Sequence, residues 1–333
     1  MTCLTTVFRA IVLLSALQLL SSQKNGNDQP IVGILTQEIK WSVLSKSYPE
    51  LPLSTTYIAS SYIKSVEASG GRVIPVFTNK SLMYYTEVVM QVNGILIPGG
   101  SADETFDYGI GKSVDMIFKI AKTINTAGDY FPILGICQGF QLLLLSSNNG
   151  ASPLTKCRCN NLNTPLNLIS DMEAKSVLFQ TMPNNIKDIL LSEPVTANHH
   201  DWCMTRKNLT STGLDSFWNA ITINNDKDGL EFISTIESIQ YPFIGLQFHP
   251  EKNAYEWELD DPHNWEAIIT ARYFYDFFLN KCRKSKHKYI SKKKLKRDLI
   301  YNYQETYVGN VTNAIFEQAY FFSDSTINNY LET

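Results

Sequence analysis

The stretch PILGICQGFQLL, residues 132–143, sets one cysteine between two glycines with apolar residues on both sides. The residues before Cys137 form a short apolar run of strand length, and QGFQLLLLSS (138–147) continues as a helix. Cys137 therefore sits on the turn between the two. The glycines at 135 and 139 suit a tight turn where larger side chains would clash. A thiol just before a helix N-terminus feels the positive end of the helix dipole and unpaired N–H groups, which favour the thiolate. The layout is that of a nucleophile elbow with sulfur in place of oxygen. Taken alone, the stretch supports a packed structural cysteine equally well, because free cysteine is among the most buried residue types.

Working outward, apolar runs and helical periods alternate along the first half. PIVGILTQ (30–37), RVIPVFT (72–78), NGILIPGG (93–100) and FPILGIC (131–137) read as strands. TYIASSYIKSVEASG (56–70), SLMYYTEVVMQV (81–92) and KSVDMIFKIAKTINTAG (112–128) read as helices between them. Such alternation predicts βαβ units: an α/β, three-layer, flavodoxin-like sandwich with a mostly parallel central sheet and helices on both faces. In the second half, EFISTIES (231–238) and PFIGLQFHPE (242–251) read as neighbouring strands, and HNWEAIITARYFYDFFLNKC (263–282) as an amphipathic helix. One domain over residues 30–320 is the simplest organisation. Residues 281–297 hold ten Lys or Arg, which reads as the solvated end of a surface helix rather than an anion-binding patch.

Ligands of open α/β sheets sit beyond the carboxyl ends of the strands. Gly99-Gly100, Cys137 and His249 all fall at such ends. Pro250 biases His249 toward extended backbone, where residues two apart share a face. Glu251 can then hold one ring nitrogen of His249 and leave the other for the thiol, the logic of base plus orienter. The glycine turn at 99–100 and the N–H of Gln138 can bracket an oxyanion.

The net charge of −3 gives no overall case for a nucleic-acid partner. At the N-terminus Arg9 precedes AIVLLSALQLL (10–20), then Ser21 and Ser22. The run is shorter than the roughly 20 apolar residues of a membrane span, so residues 1–22 read as a cleaved signal peptide rather than a buried helix. Sequons at Asn79, Asn208 and Asn310 agree with that route. No later segment is long and apolar enough for stable membrane insertion. With Cys3 in the leader and Cys137 reserved for chemistry, Cys157, Cys159, Cys203 and Cys282 suffice for two disulfides of unspecified pairing. Cys157-Arg-Cys159 lacks the two-residue gap of zinc knuckles, and no metal site is read from it.

The ordered set GICQG, a glycine pair after the preceding strand, and HPE resembles the class I glutamine amidotransferase superfamily. YIASSYIKSVEASGGRVIPV, GILIPGGSAD, TANHHDW and FHPEKNAYEW narrow the resemblance to the gamma-glutamyl hydrolase family, peptidase family C26. It spans about residue 30 to YVGNVT at 307–312. The resemblance implies a cysteine peptidase that cuts gamma-glutamyl bonds of folate polyglutamates through a thioester, with no cofactor. It implies Cys137 as nucleophile, His249 as general base and acid, and Glu251 as third member. Gly100 and Gln138 match the oxyanion hole. Tyr62 and His200, rather than His199, match further active-site positions that bind substrate. Many members carry an acidic residue where this chain has Gln141, so recognition of the glutamyl chain is expected to differ there. Secretion, and a lysosome or vacuole, are the implied locations; a homodimer is one assembly left open. The competing functions are a secreted folate-polyglutamate-binding protein without catalysis and the glutaminase part of a synthase. The intact Cys137, His249 and Glu251 argue against the first, and the signal peptide against the second.

Overall fold

Along Ile31–Leu35 (β1) the side chains alternate between two separate cores: Val32 and Ile34 enter one, Ile31 and Leu35 the other. Period-two alternation turns successive residues to opposite faces. A strand apolar at both parities must therefore be covered on both faces. The computed structural model describes residues 26–39, 44–52, 54–101, 106–312 and 314–323. The expected signal peptide lies outside them.

The other strands of the main sheet are Arg72–Val76 (β2), Gly94–Ile97 (β3), Ile133–Ile136 (β4), Asn167–Leu168 (β5), Trp218–Asn225 (β6), Glu231–Ser238 (β7) and Phe243–Leu246 (β8). Their spatial order is β2-β1-β3-β4-β8-β7-β6-β5. The strands β2, β1, β3, β4 and β8 run parallel, and the β8-β7-β6-β5 edge is antiparallel. Ser60–Ala68 (α1) and the long helix Trp265–Cys282, packed through Ile63, Val66, Phe274 and Phe278, cover one face. Leu82–Val89 (α2), Gly109–Thr126 (α3) and Gln138–Ser147 (α4) cover the other through Tyr85, Val114, Ile117 and Phe140. This is the three-layer α/β sandwich expected from the sequence.

Local departures have long-range causes. The predicted helix 56–70 divides: Thr56–Ala59 is a strand, and only Ser60–Ala68 is helical. The strand is claimed by Gln318–Phe322, whose Tyr320 lies opposite Ile58 and whose Phe322 lies opposite Thr56. Gln37–Glu38 pairs on its other side, so the predicted strand 30–37 also divides, between the main sheet and this smaller one. The basic stretch is not one surface helix. The long helix ends at Cys282, and His287 is buried with its ring on Asp129 (2.8 Å) and the Val89 carbonyl (2.7 Å). A second helix then covers Lys292–Asp298.

The expectation of two disulfides is corrected to one among the described residues. Cys157 bonds Cys203, while Cys159 and Cys282 remain free and buried. Cys282 closes the long helix against Gly94 of β3, away from the other cysteines.

Helix α4 approaches the sheet most closely at Gly139. A Cβ built on Gly139 would lie 2.1 Å from the carbonyl oxygen of Ile97 at the end of β3. Backbone cannot move aside as a flexible side chain can. Gly139→Ala is expected to lower stability by about 1–3 kcal/mol, the range for overpacking. The check is the urea midpoint, together with displacement of the cysteine turn reported by thiol alkylation. An unchanged midpoint would show that α4 can withdraw from β3 at no cost.

Candidate active site

Strand β4 ends at Ile136 and α4 begins at Gln138, leaving a single residue to reverse the chain. That residue is Cys137, with φ 51° and ψ −105°. A non-glycine residue at positive φ is uncommon and costs of order 1–3 kcal/mol unless its surroundings fix it. Here they do. Cys137 N–H donates to Leu246 O of β8 at 2.7 Å, and its carbonyl accepts from Gln141 N–H at 3.1 Å. The strained backbone lifts Sγ over the helix N-terminus, where N–H groups and dipole favour a thiolate.

His249 follows β8, the parallel neighbour of β4, which delivers the ring to the cysteine. Its backbone N–H donates to Ala197 O at 2.8 Å. Nδ1–H donates to Glu251 Oε1 at 2.6 Å, and the ring is hydrogen-bonded to Cys137. Burial works against the charged imidazole. The Glu251 carboxylate and then the Cys137 sulfur outweigh it and push His249 up to about 10. For Glu251, burial favours the neutral acid, yet the charge and hydrogen bond of His249 hold the carboxyl below its ordinary range. The ring, the carboxylate and the thiol act as one electrostatic unit, with the carboxylate fixing the tautomer.

The glycine turn after β3 faces this unit. A Cβ on Gly99 would lie 2.6 Å from His249 Cε1, 2.8 Å from the Tyr62 hydroxyl and 3.0 Å from Cys137 Cβ. Only glycine leaves room for all three. Gly99 N–H donates to the Tyr62 hydroxyl at 2.9 Å and is thereby committed, while Gly100 lines the larger cavity with Cys137 and Gln138.

Tyr62 itself is placed differently from its expected substrate-binding role. It is fully buried behind the turn, 3.5 Å from His249 Nδ1, with its proton directed to Glu251. It lines neither cavity beside Cys137, because its hydroxyl is held behind the glycine turn by Gly99 N–H.

The two adjacent histidines separate in function-bearing position. His200 touches the larger cavity, but its ring is sunk against sulfur: Nδ1 is 3.5 Å from Cys203 Sγ and 3.6 Å from Cys157 Sγ. Burial brings it down to about 3. His199 instead faces the site. Its ring lies 5.9 Å from that of His249, and its carbonyl is 4.0 Å from Cys137 Sγ. Nε2–H donates to Asp261 at 2.8 Å while Nδ1 accepts from Asn161 N–H at 3.4 Å. Burial lowers His199 despite that carboxylate, so it stands as a neutral wall. Extended backbone alternates its faces, which is why neighbours in sequence point to opposite sides.

Two cavities meet at Cys137. The larger, about 580 Å³, is walled by Gln138, Gln141 and the segment His199–Trp202; the smaller, about 360 Å³, by Tyr57, His249, Lys252 and Phe316. Gln141 Nε2 donates to Trp202 O at 2.9 Å, so half of its amide is committed to holding the wall. Sequence reasoning missed Gln37, His199, Lys252 and Asp261. Gln37 Nε2 donates to Gly99 O at 2.5 Å and its Oε1 accepts from Tyr57 at 3.2 Å, which clamps the glycine turn. Lys252 Nζ lies 5.2 Å over Phe316 and donates to Ile315 O at 3.2 Å. For Lys252 a signal existed, since it follows HPE directly; for Gln37 and Asp261 none did.

Cys157, Cys159, His200 and Cys203 set one donor atom each within 4.8 Å of one another, all buried. The reading of no metal site from the Cys157-Arg-Cys159 spacing weighed only half of this group, whose other half arrives from a separate segment.

The peptidase C26 family model matches residues 30–251. The chain belongs to the peptidase C26 family. It is 37% identical to "Gamma-glutamyl hydrolase" of Homo sapiens, over 96% of this chain and 98% of that protein. It is 35% identical to "Gamma-glutamyl hydrolase B" of Dictyostelium discoideum, over 98% of this chain and 91% of that protein. It is 31% identical to "Gamma-glutamyl hydrolase 1" of Arabidopsis thaliana, over 91% and 85%. The family's cysteine-peptidase chemistry thus falls on a chain whose positive-φ turn at Cys137 stands beside a histidine and its carboxylate.

The electrostatics of the C26 dyad predict a titration. Glu251, Cys137, Tyr62, His199 and Lys252 surround His249, and the Glu251 carboxylate is the largest attraction on its proton. Because the folded value lies above the unfolded one, its stabilising contribution is full below about pH 6.5 and is lost as pH rises through about 10. Imidazole NMR is expected to show His249 protonated well into alkaline solution. The midpoint should fall in Glu251→Gln and, by less, in Cys137→Ala. A midpoint near the ordinary histidine value in the native protein would remove the ion pair.

Proposed function

We propose that this chain hydrolyses gamma-glutamyl bonds, with pteroyl (folate) polyglutamates as substrate class. The observation that carries the reading is Cys137 on its positive-φ turn, hydrogen-bonded to a His249 that Glu251 holds in one tautomer. The names of the relatives agree with it.

In the first half-reaction the Cys137 thiolate attacks the gamma-carbonyl carbon. The carbonyl electrons move onto oxygen, which the N–H groups of Gly100 and Gln138 receive. As the intermediate collapses, the C–N bond breaks and His249 Nε2 gives its proton to the leaving amine. A gamma-glutamyl thioester remains on Cys137. In the second half-reaction water attacks the thioester carbonyl while His249 accepts its proton. The C–S bond breaks, the gamma-carboxylic acid leaves, and the thiolate is restored beside the imidazolium. Glu251 stays ionised throughout and stabilises the charged ring. The two cavities give a polyglutamate chain room on both sides of the scissile bond, and Lys252 offers a cation for an alpha-carboxylate in the smaller one.

Purified mature protein incubated with pteroylpentaglutamate should release glutamate or short gamma-glutamyl peptides. Cys137→Ala should abolish release. His249→Ala should cost about 10²–10⁴ in rate, the range for general acid–base catalysis, and Glu251→Ala less. Full retention of activity in Cys137→Ala would overturn the assignment.

We also propose entry into the secretory route, which the N-terminal apolar run and the Cys157–Cys203 disulfide support, since disulfides persist in oxidising compartments. The sequons are not equivalent. Asn208 Nδ2, the atom a glycan would occupy, donates to Pro153 O and Thr155 Oγ1, each at 2.8 Å. Asn79 Nδ2 donates to Glu38 at 3.3 Å, whereas Asn310 lies exposed on its loop. Peptide mapping after glycosidase treatment should find Asn310 modified and Asn208 bare. Modification of Asn208 at full occupancy would contradict this ranking.

A further inference from the structure

The buried group Cys157, Cys159, His200 and Cys203 lies beneath the larger cavity, which His200 alone of the four lines, and none of the four attacks the substrate or moves a proton in the proposed hydrolysis. Its distances are informative. Cys159 Sγ is 3.8 Å from Cys203 Sγ. His200 Nδ1 is 3.5 Å from Cys203 Sγ and 3.6 Å from Cys157 Sγ. A tetrahedral zinc ion with Zn–S near 2.3 Å and Zn–N near 2.0–2.1 Å has S···S edges of about 3.8 Å and S···N edges of about 3.6 Å. Among these separations, the one that departs from a zinc tetrahedron is Cys157–Cys203, where a disulfide has formed.

The orientation of the imidazole is a second, independent pointer. Asn198 Nδ2 donates to Leu162 O and Thr196 O, both at 3.1 Å, which fixes its Oδ1 as the atom facing His200 Nε2 at 3.2 Å. Nε2 must therefore carry the ring proton and donate it. The lone pair of Nδ1 is left pointing at the sulfurs, in a side chain that is 5% exposed. A ligating histidine characteristically gives its other N–H to such an outer acceptor. Neither disulfide sulfur can donate to that lone pair, whose other neighbours are the Cys159 thiol and the Trp202 backbone.

We propose that the reduced chain binds one Zn²⁺ at Cys157, Cys159, Cys203 and His200, and that the metal and the Cys157–Cys203 disulfide are alternative occupants of one site. Binding replaces three S–H protons: Zn²⁺ and three thiols give a tris-thiolate, mono-imidazole complex and three H⁺. Opening the disulfide requires two electrons, which a phosphine supplies. Phosphine, disulfide and water give phosphine oxide and two thiols. With four protein ligands and no open position the site is of the structural kind. Its backbone is already joined to the cavity wall: Cys157 N–H donates to Asp201 O at 3.0 Å and Cys159 N–H to His200 O at 3.1 Å. Either occupant therefore pins the segment His199–Trp202.

The probe is Co²⁺, whose tetrahedral d–d bands and thiolate charge-transfer band report its ligands. Cys137→Ala serves as the background, so that the active-site thiol contributes nothing. The oxidised protein should give no such bands. After anaerobic phosphine reduction it should bind one equivalent of Co²⁺ with a tetrahedral thiolate spectrum, and one equivalent of Zn²⁺ should bleach it. Adding Cys159→Ser, which leaves both partners of the disulfide intact, should weaken binding at least tenfold and blue-shift the bands; His200→Ala should also weaken it. Far-UV circular dichroism of the reduced, metal-free chain completes the test. A reduced chain that stays folded without tetrahedral bands overturns the proposal. So does one that unfolds and is not refolded by Zn²⁺, or bands that survive Cys159→Ser unchanged.

Discussion

Helix α4 passes so close to β3 that Gly139 has no space for a side chain, and the chain has one residue in which to turn from β4 into that helix. The strain falls on Cys137, at φ 51°. Most of the site depends on this constraint. Were α4 further from the sheet, a longer and relaxed turn would suffice, and Sγ would no longer stand over the helix N-terminus between the ends of β3 and β8. The cost is met by the hydrogen bonds of a parallel sheet buried on both faces, which is stable enough to hold one residue in a sparsely populated conformation.

Around the turn, the site is assembled from the carboxyl ends of adjacent parallel strands. β3 gives the glycine turn, β4 the cysteine and β8 the histidine. Adjacency of the three is a property of strand order, and it sets the glycine turn, the cysteine and the histidine side by side. Behind them lies a polar layer: Gln37 on Gly99, Tyr62 between Gly99 and Glu251, and Asp261 on His199. Gln37, Tyr62 and Asp261 each hydrogen-bond another member of the layer. Partial disassembly would leave charges and donors unpaired at low dielectric, so the layer behaves as a unit.

Outside the main sheet, segments 155–168 and 196–203 pair in two short ladders of their own, and the cysteine–histidine group ties them together beneath the larger cavity. Gln141 reaches from α4 to the same wall through Trp202. The helix that follows Cys137 and the wall of the cavity beside it are thus joined by a side-chain amide, and an acidic residue at 141 would lose that donor.

The sequence by itself determined the alternation of strands and helices in the first half, the cysteine turn, and the HPE segment with its two-residue spacing. Those features are local: apolar periodicity, glycine permissiveness and the extended bias before proline act within a few residues. It also carried the family likeness, on motifs that keep their order along the chain. What it left open was settled by contacts between distant segments. Thr56–Ala59 became a strand because Gln318–Phe322 pairs with it, overriding a helical period. Which of His199 and His200 faces Cys137 depended on the register of Thr196–Asn198 against Leu162–Thr164, since one residue of slip exchanges the two faces. Tyr62 went behind the turn because Gly99 offers its N–H there, and Gln37 and Asp261 entered the site from segments with no motif to mark them. Cysteine pairing followed the same rule: Cys157, Cys159 and Cys203 meet through the ladder between 155–156 and 202–203, and Cys282 is kept apart at the end of the long helix, against Gly94.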